Sequence, residues 1–128
     1  MTETDEVALR VMVVDDHPMW RDGVARDLAD AGFDIVATAD SAGAAGRRAG
    51  AVLPDVVLMD MQLPDGNGAE ATAAVLEGSP KTRVLVLSAS DERDDVLDAV
   101  KAGASGYLVK SASKAELIDA VRATAQGQ

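Results

Sequence analysis

The sequence predicts an α/β domain built on a doubly wound parallel sheet, and three observations predict it. Five short runs rich in Val, Leu and Ile recur along the chain, each separated from the next by a helix-compatible stretch. Three of those runs are nearly continuous hydrophobes, as expected of parallel strands covered on both faces. Residues able to bind metal or phosphate stand where four of the runs end: Asp15 and Asp16, Asp60, Ser88 and Lys110.

The first strand is expected over residues 9–14. Pro18 then opens a helix at its first position, where the missing N–H costs nothing. Trp20, Val24, Leu28 and Ala31 form one apolar stripe on it, and Gly32 ends it. A second strand is expected over residues 33–37. The helix after it, residues 41–50, contains Gly43 and Gly46, each costing about 1 kcal/mol relative to Ala; it is expected to be short or mobile. The third strand covers residues 55–59 and leads to an Ala-rich helix over 69–77, stopped by Gly78-Ser79-Pro80. The fourth strand covers 83–87, and its helix runs from 91 to 102 and ends at Gly103. The fifth strand covers 106–109. In the last helix Ser113 and Glu116 have capping-box spacing, followed by Leu117, Ile118 and Val121 on one face. Right-handed crossovers between these strands give five helices around a five-stranded sheet.

Length and charge narrow the function. The 128 residues suit one compact domain able to bury a core. No cysteine is present, which excludes disulfides and thiolate chemistry. No apolar run reaches membrane-spanning length and the N-terminus MTETDEV is acidic, so a cytoplasmic location without membrane association is expected. The net charge of −10, from 22 acidic and 12 basic residues, disfavours direct binding to nucleic acid or anionic lipid, which need a basic patch.

In an open parallel sheet, ligands bind beyond the carboxyl ends of the strands, where the strand order reverses. With the flavodoxin-like order 2-1-3-4-5, strands one and three are neighbours there, and Asp15, Asp16 and Asp60 converge beside Ser88 and Lys110. Clustered carboxylates repel unless a cation lies among them. Mg²⁺, a hard ion that prefers oxygen and bridges readily to phosphate, suits them. Lys110 adds a fixed cation and Ser88 a hydroxyl donor, a set able to stabilise phosphoryl transfer to an Asp nucleophile. Any one Asp after a strand is more often a helix cap or turn former; the grouping at four strand ends argues for chemistry. His17 precedes the helix-opening proline and is read as structural or loop-lining, Trp20 as a core or partly covered helix residue, and Asp65 as shaping a turn with Gly66.

Taken together and in order, VVDDHP at 13–18, VVLMDMQLPDGNG at 56–68, VLVLSA at 84–89 and GASGYLVK at 103–110 resemble the receiver domain of two-component response regulators. The DDHP and GYLVKS segments are most similar to the subgroup with a LuxR-type helix-turn-helix output. The resemblance implies a receiver over residues 8–125, with a tail at 1–7 and the start of a linker at 126–128; the output domain is expected to be absent from this chain, as part of a longer regulator, with a stand-alone receiver as the alternative. It implies Asp60 as phosphoacceptor, with Asp15, Asp16, Asp60 and the backbone carbonyl of Gln62 holding Mg²⁺. Ser88 and Lys110 then bind the phosphoryl group, and Ser88 and Tyr107 form the switch. The side chains of Gln62 and Ser90 would tune the lifetime of the phosphorylated state. Many such domains have proline after the lysine, with a cis bond; here Ser111 follows. A cis bond before a non-proline residue costs about 2.5–4 kcal/mol, so the bond is either trans or strained.

The function so implied is a signalling switch rather than an enzyme. A sensor histidine kinase or small phosphodonor phosphorylates Asp60, and an altered surface controls an output, expected to be transcriptional, that carries the DNA contacts. A homodimer formed on phosphorylation is a further candidate state, its face left open by the sequence. Two alternatives stand beside this reading. A phosphohydrolase of the haloacid-dehalogenase type uses D-x-D, whereas this site reads Asp60-Met61-Gln62. A phosphorylation-independent receiver-fold binding module usually lacks the acidic pair, the acceptor or the lysine, all present here.

Overall fold

The computed structural model describes residues 8–89 and 93–127. Its elements run in order β1 (Arg10–Val14), α1 (Pro18–Asp30), β2 (Asp34–Ala39), α2 (Ala42–Val52), β3 (Val56–Asp60), β4 (Gln62–Leu63), β5 (Gly66–Asn67), α3 (Gly68–Gly78), β6 (Arg83–Ser88), α4 (Arg93–Lys101), β7 (Gly106–Val109) and α5 (Lys114–Ala125). Five strands form one parallel sheet in the order β2-β1-β3-β6-β7. This is the expected 2-1-3-4-5 pattern, renumbered by a two-residue antiparallel hairpin, β4-β5, that the sequence reading did not contain. The expected start of the fourth helix at Asp91, and Ser90, lie outside the described residues.

The apolar runs form strands because both of their faces are covered. Met12, Val14, Val57, Met59, Val84 and Val86 pack on one side against Ala44, Ala45, Ala49, Ala71, Val75 and Ala99. The alternate residues Val11, Val13, Val56, Leu58, Leu85 and Leu87 pack on the other against Val24, Leu28, Leu117 and Val121. Successive strand side chains point to opposite faces, so each run feeds both layers of the core. The inner strands β1, β3 and β6 are almost wholly buried, while the edge strands β2 and β7 are partly exposed. Truncating a fully buried residue such as Leu58 to Ala would cost about 2–5 kcal/mol.

Helix signals fared unevenly. Gly32 takes φ +101° directly after α1, and Gly103 takes +105° after α4, conformations that favour glycine. Both arms of the Ser113/Glu116 capping box on α5 are formed. The helix expected over residues 41–50, and expected to be short or mobile, runs over Ala42–Val52, 11 residues, the same length as α3. Its glycines lie where α2 meets α3: a Cβ on Gly46 would sit 3.3 Å from Ala74 Cβ, and the Gly50 backbone abuts Gly78. Close packing between the two helices thus offsets the poor intrinsic propensity.

Candidate functional site

Strand register builds the site. Val14 pairs with Met59 across β1 and β3, so Asp15 and Asp60, each one residue on, stand side by side at the carboxyl edge of the sheet. On the other side Ser88 pairs with Val109, and Lys110, the next residue, donates its backbone N–H to the Ser88 carbonyl at 2.7 Å. Asp15, Asp60 and Ser88 are all buried, at 0%, 3% and 3% exposure. Lys110 reaches between the carboxylates, its Nζ 2.7 Å from Asp15 Oδ2 and 3.4 Å from Asp60 Oδ1.

These charges pull the two buried carboxyls in opposite directions. Burial alone would raise Asp15, but the Lys110 ammonium and the backbone N–H and ring of His17 outweigh it and leave Asp15 below the ordinary range. Burial also raises Asp60, and the Gln62 N–H and Lys110 do not offset it against the added repulsion of Asp15, so Asp60 stays above its ordinary value. Asp60 Oδ2 is buried and has no hydrogen-bond partner. Such an acceptor invites a cation or a bond-forming partner.

Single oxygen or nitrogen atoms of Asp15, Asp16, His17 and Asp60 all lie within 4.8 Å of one another. The three carboxylates, with one unpartnered buried oxygen among them, fit a hard divalent cation. His17 is part of the network rather than a bystander: its Nδ1 lies 2.9 Å from Asp15 Oδ1 and 3.2 Å from Asp16 Oδ1, and its N–H donates to Asp15. Gln62 is exposed and its N–H donates to Asp60 Oδ1 at 3.2 Å. Tyr107 is half-buried at the edge strand β7, packed against the core layer that holds Met59 and Val86. All peptide bonds among the described residues are trans, Lys110–Ser111 included.

Several contacts that hold this site together are not visible in the sequence. Arg21, one turn into α1, donates to the Asp15 carbonyl at 2.9 Å. The Trp20 ring lies beneath the Lys110 ammonium, 4.5 Å from centroid to Nζ. Asp65 reaches beyond its own turn: its carboxylate accepts from Ala42 and Gly43 N–H at 2.7 and 3.0 Å, capping α2 and tying the loop after Asp60 to that helix. Those two N–H groups, Gly43 first, hold the Asp65 carboxyl below its usual range. Asn67 and Glu70 complete a second capping box at the start of α3, and their spacing could have shown it. Gly68 is held against the Asp60 backbone, since a Cβ there would lie 2.7 Å from the Asp60 carbonyl oxygen and 2.8 Å from Met61 Cα.

With this geometry in hand, comparison with known proteins is decisive: the response regulator receiver domain family matches residues 11–122. The chain belongs to that family. It is 40% identical over 129 residues to the probable transcriptional regulatory protein NarL of Mycobacterium tuberculosis, a match covering all of this chain. The signal receiver domain of that putative regulator superposes with a TM-score of 0.90 at 40% identity, covering 96% of this chain and 100% of the other. A response regulator from Burkholderia pseudomallei, solved with a phosphorylated aspartic acid and a calcium ion, superposes with a TM-score of 0.81 at 27% identity, covering 92% and 69%. The chain spans only 53–60% of the length of the curated relatives it matches. It is thus a receiver domain of the two-component response regulators, a signalling domain, and no helix among its described residues is long and apolar enough to cross a membrane.

Proposed function

We propose that this receiver is a phosphorylation-dependent switch with Asp60 as phosphoacceptor. The reading rests above all on one arrangement: a buried carboxylate with an unpartnered oxygen, Lys110 3.4 Å from its other oxygen, and Asp15 beside it. Asp15, Asp16, Asp60 and the Gln62 backbone carbonyl would hold Mg²⁺, which when bound supplies charge neutralisation for the phosphoryl group.

The chain's own residues do the rest. An Asp60 oxygen attacks the phosphorus of a phosphohistidine on a sensor kinase, or of a small phosphodonor. The donor's bond to phosphorus breaks, its electron pair leaves with the donor, and a mixed anhydride forms on Asp60. Lys110 pairs with the phosphoryl oxygens and the Ser88 hydroxyl donates to one of them. As Ser88 moves, Tyr107 turns inward and the face made by α4, β7 and α5 changes. Such a switch needs two states only a few kcal/mol apart, biased by the phosphoryl group. Water attack on phosphorus then releases inorganic phosphate and restores the carboxylate, at a rate tuned by the side chains of Gln62 and Ser90.

The changed face controls a transcriptional output that contacts DNA outside this acidic domain, in the cytoplasm, with a homodimer as one form of the activated state. Beryllofluoride with Mg²⁺, a phosphoryl mimic, tests the switch. Amide resonances should shift around Asp60 and, at a distance, along β7 and α5. Shifts confined to the residues around Asp60 would refute the switch, and no shift at all would refute the acceptor site.

A further inference from the structure

Lys110 has a third partner besides the two carboxylates. An ammonium carries three donors; two directions lead to Asp15 Oδ2 at 2.7 Å and Asp60 Oδ1 at 3.4 Å. The indole of Trp20 lies below Nζ at 4.5 Å from its centroid. This is the chain's one tryptophan, and an indole face attracts a cation more strongly than any other side-chain ring. The ring itself is well placed. It sits in the first turn of α1, packs against the core layer that holds Val24 and Leu28, and is followed by Arg21, which ties this turn to the Asp15 carbonyl. The Lys110 side chain is only 18% exposed, so the contact is partly withdrawn from water, where such attraction grows.

We propose that Trp20 is a positioning residue for Lys110: its ring face holds the ammonium beside the acceptor carboxylate. A lysine side chain, with its long flexible stem, has much rotamer freedom to lose when it is fixed. With the ring in place that loss is already taken in the resting domain, and Nζ waits within a short movement of any group built on Asp60. The carboxylates alone would not do this equally well, because both are also candidates for a divalent cation and cease to be free partners when one binds. The ring takes no part in that competition. This inference rests on the reading of Asp60 as phosphoacceptor.

The test is a double-mutant cycle on the full chain, with Mg²⁺ and beryllofluoride as the probe. Trp20→Leu keeps apolar bulk and removes the π face, and should weaken beryllofluoride binding about fivefold. Trp20→Phe keeps a ring and should recover part of that loss. In a Lys110→Ala background, Trp20→Leu should cause no further loss. A separate readout needs no ligand: the Lys110 ε-methylene protons of the wild type should show an upfield ring-current shift that Trp20→Leu abolishes. Wild-type binding with less than a twofold change in Trp20→Leu would overturn the proposal, as would an equal loss with and without Lys110. Random-coil ε-proton shifts in the wild type would overturn it as well. If the wild type binds no beryllofluoride while the ring-current shift is present, the Asp60 reading fails and the contact stands as structural only.

Discussion

Replacing Gly68 by Ala puts a methyl group against the backbone of Asp60, the proposed phosphoacceptor. The built Cβ lies 2.7 Å from the Asp60 carbonyl oxygen and 2.8 Å from Met61 Cα, against 3.4 Å or more for ordinary contact. Gly68 cannot simply retreat: its N–H is bonded to the Met61 carbonyl at 2.9 Å, and its carbonyl accepts from Thr72 at 2.6 Å. The backbone at Asp60 must therefore give by about 0.3 Å to escape the clash and by about 0.7 Å to reach ordinary contact. Overpacking of this kind costs about 1–3 kcal/mol, or roughly 3–15 °C of melting temperature at this size. A displacement approaching 1 Å at a reacting group also slows chemistry, here by about tenfold or more. Thermal melts, together with the rate of labelling by acetyl phosphate and Mg²⁺, measure both effects. A variant that melts within about 1 °C of wild type and labels at the wild-type rate would refute the claim that Gly68 is required by the acceptor loop.

Three further outcomes follow from the charges and bonds described. Because Asp60 is raised, the folded state holds its proton longer than the unfolded chain, so its ionisation removes stability as pH rises from 3.8 through the folded value. In metal chelator, Asp60→Asn should therefore melt like wild type near pH 3.8 and above it at neutral pH; a neutral-pH melting temperature at or below wild type contradicts the reading. Asp65 is shifted the other way, so Asp65→Ala should lower the melting temperature at neutral pH, with the deficit shrinking as pH falls through the depressed folded value; a pH-independent deficit would place its effect elsewhere. At the opposite edge of the sheet Thr82 Oγ1 bonds Ser79 Oγ and the Pro54 carbonyl, both at 2.6 Å. Thr82→Val should cost about 1–3 kcal/mol and leave acetyl phosphate labelling unchanged, and a labelling defect would mean that strain crosses the whole sheet.

What could be read from the sequence divides by range. The strands were legible because Val11–Val14 and Val84–Leu87 are covered on both faces, which makes them continuous hydrophobic runs. Once strand order was assumed, Asp15, Asp60, Ser88 and Lys110 followed, since register alone carries them to one edge. The Ser113/Glu116 box was legible because its two partners are three residues apart. What sustains α2 despite its glycines was not, because it depends on Gly46 and Gly50 meeting Ala74 and Gly78, a match between two helices that no local pattern shows. The same limit hid Asp65, whose carboxylate caps a helix 22 residues upstream. Trp20 was read correctly as a partly covered helix residue, but its place under Lys110 depends on α1 and the end of β7 being brought together. The residues proposed to carry the chemistry were visible one by one, whereas those that hold them in place appear only through packing.

Whether Asp60 is the phosphoacceptor can be read from the intact mass of the domain after incubation with acetyl phosphate and Mg²⁺, beside Asp60→Asn and a magnesium-free control. A single phosphoryl adduct is expected on the wild type, absent from the variant and from the metal-free sample. An adduct that persists in Asp60→Asn, or none on the wild type under any condition, would contradict Asp60 as the phosphoacceptor.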